Sequence, residues 1–312
     1  MYVQPECRHF SMKTRLGIFA ISLVVLPLGG LLLSGKEWEG LPVGVPAGPE
    51  HIGAVLWAIL MLFAGILLVN YLIKRISGNS LLNIQRSYYM GVAAASAILC
   101  WLLAYLGLFA DGWPGGEDAL SMQLLLYTPL FALLAPAVLI TRALLGSFSG
   151  LLKWLAHGLV LPVHGGESIG IFLVSVAVLG LLGGGAWPAQ MGWLMWFSPL
   201  LLLTALQLLW NESTIFSGLK SGDWGRLICA ALAGMIVGNL VSIIYHAGGG
   251  NHPAILHNMP AQLGYILFGL LCLQLGDVIA ENWRGKKRAG PFQQKKKFPI
   301  PVIARPVGTK RD

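Results

Sequence analysis

The chain has 312 residues, of which 56% are hydrophobic and only 11% charged, with 21 Lys and Arg against 13 Asp and Glu for a formal charge of +8. Soluble domains carry about 25% charged residues, so a soluble globular protein is excluded and the composition is that of an integral membrane protein. The positive charge is no nucleic-acid footprint either, because the basic residues are scattered through short loops and a tail beside apolar runs.

Eight apolar runs follow in chain order, at approximately 16–33, 52–73, 88–109, 119–142, 168–187, 191–210, 224–246 and 262–281, most of them near the roughly 20 residues that cross a bilayer as a helix. Lipid offers no partner to backbone N–H and C=O groups, which leaves helices or closed barrels, and the runs lack the period-2 alternation of a barrel. The expected fold is an all-α, polytopic transmembrane helical bundle of about eight spans over residues 1–283, with the bilayer as its first partner and a basic tail over 284–312.

The first run begins as MKTRLGIFAISLVVLPLGGLLLSG from Met12. Its short basic start resembles a signal peptide, with a cleaved leader and seven spans as the alternative. An apolar stretch longer than the usual ~7–15 residues and the lack of an A-x-A site favour a retained span. With the N-terminus inside, every one of the 21 Lys and Arg except Lys36 falls on the cytoplasmic side, while Glu37, Glu39, Glu50, Asp111, Glu117 and Asp118 fall outside. Both termini are therefore expected in the cytoplasm.

Between the fourth and fifth spans, LLKWLAHGLVLPV (151–163) is too short to cross and places Lys153 and His157 one helical turn apart. It predicts a helix lying on the cytoplasmic leaflet, with a re-entrant segment as the alternative. The fourth span contains Pro129 and Pro136, which free carbonyls and kink the helix, beside the polar Gln123, Tyr127 and Thr128.

The seventh span opens with SGDWGRL (221–227), in which Asp223 is placed to cap the helix and Trp224 and Arg226 to anchor it at the headgroups. Along it Ala230, Gly234, Gly238 and Ser242 recur every fourth residue, a small-residue seam on which another backbone packs closely, either inside the bundle or on a partner membrane subunit. Asn239 lies beside that seam about 10 Å from the outer end, at ~1.5 Å per residue. An interhelical hydrogen bond is expected for it, to Gln123, Tyr127 or Thr128 at similar depth.

The loop to the eighth span, HAGGGNHPAILHNMPAQLGY (246–265), gathers His246, His252 and His257, and His51 starts the second span on the same side. Imidazole binds zinc, copper and iron, yet the H-x5-H-x4-H spacing matches no helical ligand pair and no Cys or carboxylate lies nearby. The residues fit better a loop in which Gly248, Gly249 and Gly250 end one helix and Pro253 and Pro260 delay the next. No metal is expected; a polar patch for a partner or a cofactor headgroup is the functional alternative.

The four cysteines, Cys7, Cys100, Cys229 and Cys272, form no CxxC pair and indicate neither a disulfide framework nor a thiolate metal site. No ionisable residue sits mid-span; Arg142, Asp277 and Glu281 stand at cytoplasmic ends. This weighs against ion-coupled transport, and the absence of mid-span histidines weighs against a transmembrane haem. Neither GxGxxG nor a Walker A sequence occurs, so no cofactor is indicated.

GDWGRLICAALAGMIVG, a short loop and MPAQLGYILFGL together resemble the C-terminal part of uncharacterised multi-pass bacterial inner-membrane proteins with a G-D-W-x-R-L helix start and a later M-P…G-Y…F-G-L helix. The resemblance covers the last quarter of the chain; the W-E-x-W-N helix end of that pattern is replaced here by LVSIIYH. It implies a bacterial inner-membrane location and no mechanism. The expected function is a non-catalytic subunit or scaffold of a membrane assembly. The alternatives are a membrane-embedded enzyme acting on a lipid or quinone at the outer leaflet, with His246, His252 and His257 as acid/base or ligand candidates, and a transporter of a neutral or lipidic substrate.

Overall fold

The computed structural model describes residues 50–77, 82, 85–110, 120–155, 158–161, 167–210, 212–249 and 259–283. The run 16–33 and the basic tail lie outside these residues. The described chain is helical: α1 (Glu50–Ser77), α2 (Arg86–Ala110), α3 (Leu120–Gly146), α4 (Ser149–Leu155), α5 (Glu167–Ala186), α6 (Pro188–Leu209), a 3-10 turn (Ser217–Ser221), α7 (Gly225–Ala247) and α8 (Met259–Trp283), with no strand among the described residues. All but α4 and the 3-10 turn are long and apolar enough to cross a membrane, so the protein is an integral membrane helical bundle. The 28 residues of α1 measure about 42 Å, which carries its Lys74–Arg75 end past a hydrocarbon core of roughly 30 Å.

Lipid tails are as apolar as leucine, so these helices gain little from burying side chains against each other; close packing and polar contacts decide their neighbours. At the centre α8 packs on α7, α6, α2 and α3, while α1 lies across α3 and α7. One apolar cluster, including Val55, Val92, Val138 and Val237, joins α1, α2, α3 and α7. A second, including Leu103, Met195, Ala230 and Leu271, joins α2, α6, α7 and α8. Leu60, Phe63 and Leu68 on α1 and Leu182 on α5 stay exposed, as suits a lipid-facing surface.

A single residue, Trp187, separates α5 from α6, and Pro188 stands at the start of α6, where a missing N–H costs nothing. The two helices close on each other because α5 is notched: side chains added at Gly180, Gly183 and Gly184 would run into Ser198, Met191 and Met195.

α3 runs as one helix through Pro129 and Pro136 and is tied to α2 beside the second of them. The buried Ser96 hydroxyl of α2 accepts from Ala135 N–H at 3.1 Å and donates to Phe131 C=O at 2.5 Å.

The helix expected over 151–163 stops at Leu155. Beyond it the backbone pairs with the turn before α7: Gly158 N–H donates to Gly222 C=O at 3.1 Å, Leu161 N–H to Leu219 C=O at 3.0 Å, and Trp224 N–H to Leu155 C=O at 3.1 Å. A helix running on to 163 would commit these groups to itself. Gly222 takes φ +76, and a Cβ there would lie 2.8 Å from the Gly158 carbonyl oxygen, so both conformation and space demand glycine. Trp224, expected to anchor at the headgroups, donates its indole N–H to Leu159 C=O at 2.8 Å and locks the same contact.

Candidate functional site

Five groups of polar or small residues are set into the bundle. At one end, the start of α1 and the end of α7 adjoin, since a Cβ on Gly248 would lie 2.9 Å from Ala54 Cα. This brings the backbones carrying His51 and His246 to the same end. The His246 side chain is exposed. Residues 250–258, with His252 and His257, and the side chain of His51 lie outside the described residues. Gly249 adopts φ +92 and donates to His246 C=O at 3.0 Å, the left-handed helix ending expected for the glycine run.

The small-residue seam of α7 faces α8. A Cβ on Gly234 would collide with the Tyr265 carbonyl and lie 2.7 Å from Gly269 Cα; a Cβ on Gly269 would collide with the Ala230 carbonyl and lie 2.9 Å from Gly234 Cα. One turn further, the Tyr265 ring covers Gly238, and Ser242 comes next on that face near the Tyr265 hydroxyl. Gly269 is the half of this crossing that the sequence pattern of α7 alone does not display.

Asn239, on the flank of the seam, bonds Gln262 of α8. Its Nδ2 donates to Gln262 Oε1 at 2.9 Å and its Oδ1 accepts from Gln262 Nε2 at 2.8 Å. Thr128, one of the expected partners, instead accepts from Trp101 Nε1 at 3.0 Å. Two amides in a closed reciprocal pair satisfy each other without water, which is the economical arrangement in lipid.

A third polar set was not singled out from the sequence. Gln274 of α8 donates to Thr204 Oγ1 at 2.8 Å and to Gln207 Oε1 at 3.1 Å, both on α6. Gln207 and Gln274 are fully buried, and Thr204 nearly so. The pairing is incomplete: Gln207 Nε2 and Gln274 Oε1 meet no hydrogen-bond partner among the described residues. The available signal was an amide set among leucines in each helix, ALQLLW and CLQLGD.

One turn further along α8, Asp277 pairs with Arg226 at the start of α7. Arg226, expected to reach the headgroups, is thus turned towards α8. Asp223, expected to cap α7, stands one residue before the N-cap Trp224, which makes no side-chain cap hydrogen bond, and accepts instead from Gly225 N–H at 2.9 Å. Arg142, near the end of α3, feels the charges of both Arg226 and Asp277. The charged groups of α3, α7 and α8 therefore converge at the end opposite His246, hereafter the basic end.

Cys100, Cys229 and Cys272 are free and buried, and no three His, Cys, Asp or Glu side chains among the described residues gather at metal-binding distance. The chain matches no protein-family model, no curated protein and no solved structure.

Proposed function

We propose that this integral membrane protein is a non-catalytic subunit or scaffold of a membrane assembly in the bacterial inner membrane, crossing it several times with both termini in the cytoplasm. The observation that carries the reading is how the polar groups inside the spans are used. Asn239 bonds Gln262, Ser96 bonds the α3 backbone, Gln274 reaches Thr204 and Gln207, and Arg226 pairs with Asp277. Each of these contacts joins two helices. An enzyme or transporter commonly keeps such groups turned to a substrate path, whereas here they fix helix positions, which is what a scaffold requires. The lipid-facing leucines and aromatics of α1 and α5 offer surface for partner helices.

Purification of the full chain in mild detergent followed by mass spectrometry of the intact complex tests this. A stoichiometric partner protein is expected. A chain that is always alone and carries one retained small molecule would replace the scaffold with a transporter or enzyme.

Orientation is tested separately by single cysteines. Gly115→Cys and Gly250→Cys are expected to react with an impermeant thiol reagent added outside the cell, and Ser80→Cys only after permeabilisation, because the basic loops are retained inside. Outside labelling of Ser80→Cys would invert the topology.

A further inference from the structure

Four helix ends meet at the basic end of the bundle, and a glycine lets them do so. A Cβ on Gly276 would lie 2.7 Å from the Tyr88 hydroxyl oxygen and 3.0 Å from Leu139 Cδ1. The missing side chain thus admits the start of α2 and the last turns of α3 against α8, one residue before Asp277. Asp277 accepts from Arg226 of α7. Arg142 stands one turn beyond Leu139 on α3 and interacts electrostatically with Arg226, Asp277 and Tyr88.

Among the described side chains the charges at this junction do not balance: Arg142 and Arg226 face one carboxylate, Asp277, which Arg226 engages. Arg142 is half-buried and makes no hydrogen bond or ion pair to a described residue. A guanidinium carries five N–H donors in a fixed fork, and in a partly desolvated place it favours an anionic acceptor. The fork matches the paired oxygens of a phosphate, which it binds bidentately. The position, at the end of a spanning helix among other basic helix ends (Lys74, Arg75 and Arg86), is where phosphate headgroups of anionic lipids concentrate.

We infer that the junction of α2, α3, α7 and α8 binds a phosphate group, with Arg142 forked onto its oxygens and Arg226 and the Tyr88 hydroxyl beside it. The ligand is an anionic phosphodiester of a lipid headgroup or a soluble phosphate; both present the same oxyanion. Asp277 holds Arg226 in place and keeps the junction from accumulating two uncompensated cations when the phosphate is absent.

The test is thermal unfolding of the full chain in neutral detergent, with phosphatidylglycerol, phosphatidylcholine or inorganic phosphate added, for wild type, Arg142→Gln, Arg142→Lys and the exposed control Arg75→Gln. Phosphatidylglycerol is expected to raise the wild-type Tm by about 5 °C at saturation and phosphatidylcholine not to. Arg142→Gln loses the rise, Arg142→Lys keeps part of it, and Arg75→Gln keeps all of it. An equal rise with inorganic phosphate assigns the site to a soluble phosphate; a rise confined to phosphatidylglycerol assigns it to lipid. The inference is overturned if none of the three additives separates from the others on wild type, or if Arg75→Gln loses as much as Arg142→Gln, which would mark a diffuse surface effect. Should Arg142→Gln fail to fold, the contrast between Arg142→Lys and Arg75→Gln decides.

Discussion

Gly234→Leu is expected to lower the Tm of the detergent-purified protein by on the order of 10 °C or to prevent its recovery as a folded species. Overpacking a well-fitted interior costs about 1–3 kcal/mol when side chains give way. Here the first obstacles are backbone, the Tyr265 carbonyl and Gly269 Cα, which yield only if α7 and α8 separate. Because α8 also holds α6, α2 and α3, the separation spreads through the bundle. Gly65→Ala provides the contrast: a Cβ there meets nothing within 4 Å, and alanine favours a helix by roughly 0.5–1 kcal/mol over glycine, so its Tm should hold or rise slightly. Equal behaviour of the two variants would mean that α7 and α8 do not cross at Gly234.

The buried amides should show the opposite of additivity. Gln274→Met removes the hydrogen bonds to Thr204 and Gln207 and leaves the Gln207 amide, already short of a partner at Nε2, wholly unsatisfied on that side. A loss of about 1–3 kcal/mol follows. Adding Gln207→Met removes the stranded group as well, and replacing both members of a buried polar pair by apolar side chains of similar size is close to neutral. The double variant should therefore melt nearer to wild type than Gln274→Met does, a coupling of roughly 0.5–3 kcal/mol. Strictly additive losses would show that the two side chains do not interact.

The membrane helices were legible in the sequence because they are a property of composition over some 20 residues, which no tertiary contact overrides. The seam on α7 was legible for a similar reason: repetition every fourth residue is a local pattern. What faces the seam was not, since Gly269 is an isolated glycine on α8 and gains meaning only once Gly234 lies against it. Asn239 shows the limit of depth as a guide. Depth alone made Gln123, Tyr127 and Thr128 its expected partners, but rotation about the helix axis decides which neighbour an amide meets, and Gln262 sits at the start of α8, where the expected span had only begun. Gln207 and Gln274 lack the charge by which an intramembrane site stands out in a sequence, yet an uncharged amide is nearly as demanding of a partner in lipid. The early stop of α4 was invisible to periodicity, as its cause is a backbone pairing with residues some 60 positions later.

That pairing also sets an order of events during synthesis. The acceptor of the Trp224 indole, Leu159, precedes it by 65 residues, which a ribosome working at about 5–20 residues per second needs roughly 3–13 s to produce. Throughout that interval the stretch after α4 is without the turn it will pair with, while α5 and α6, joined by the single residue Trp187, are being made. The clasp can close only after all of α5 and α6 has been made, so its two halves are separated in synthesis by a complete helical pair.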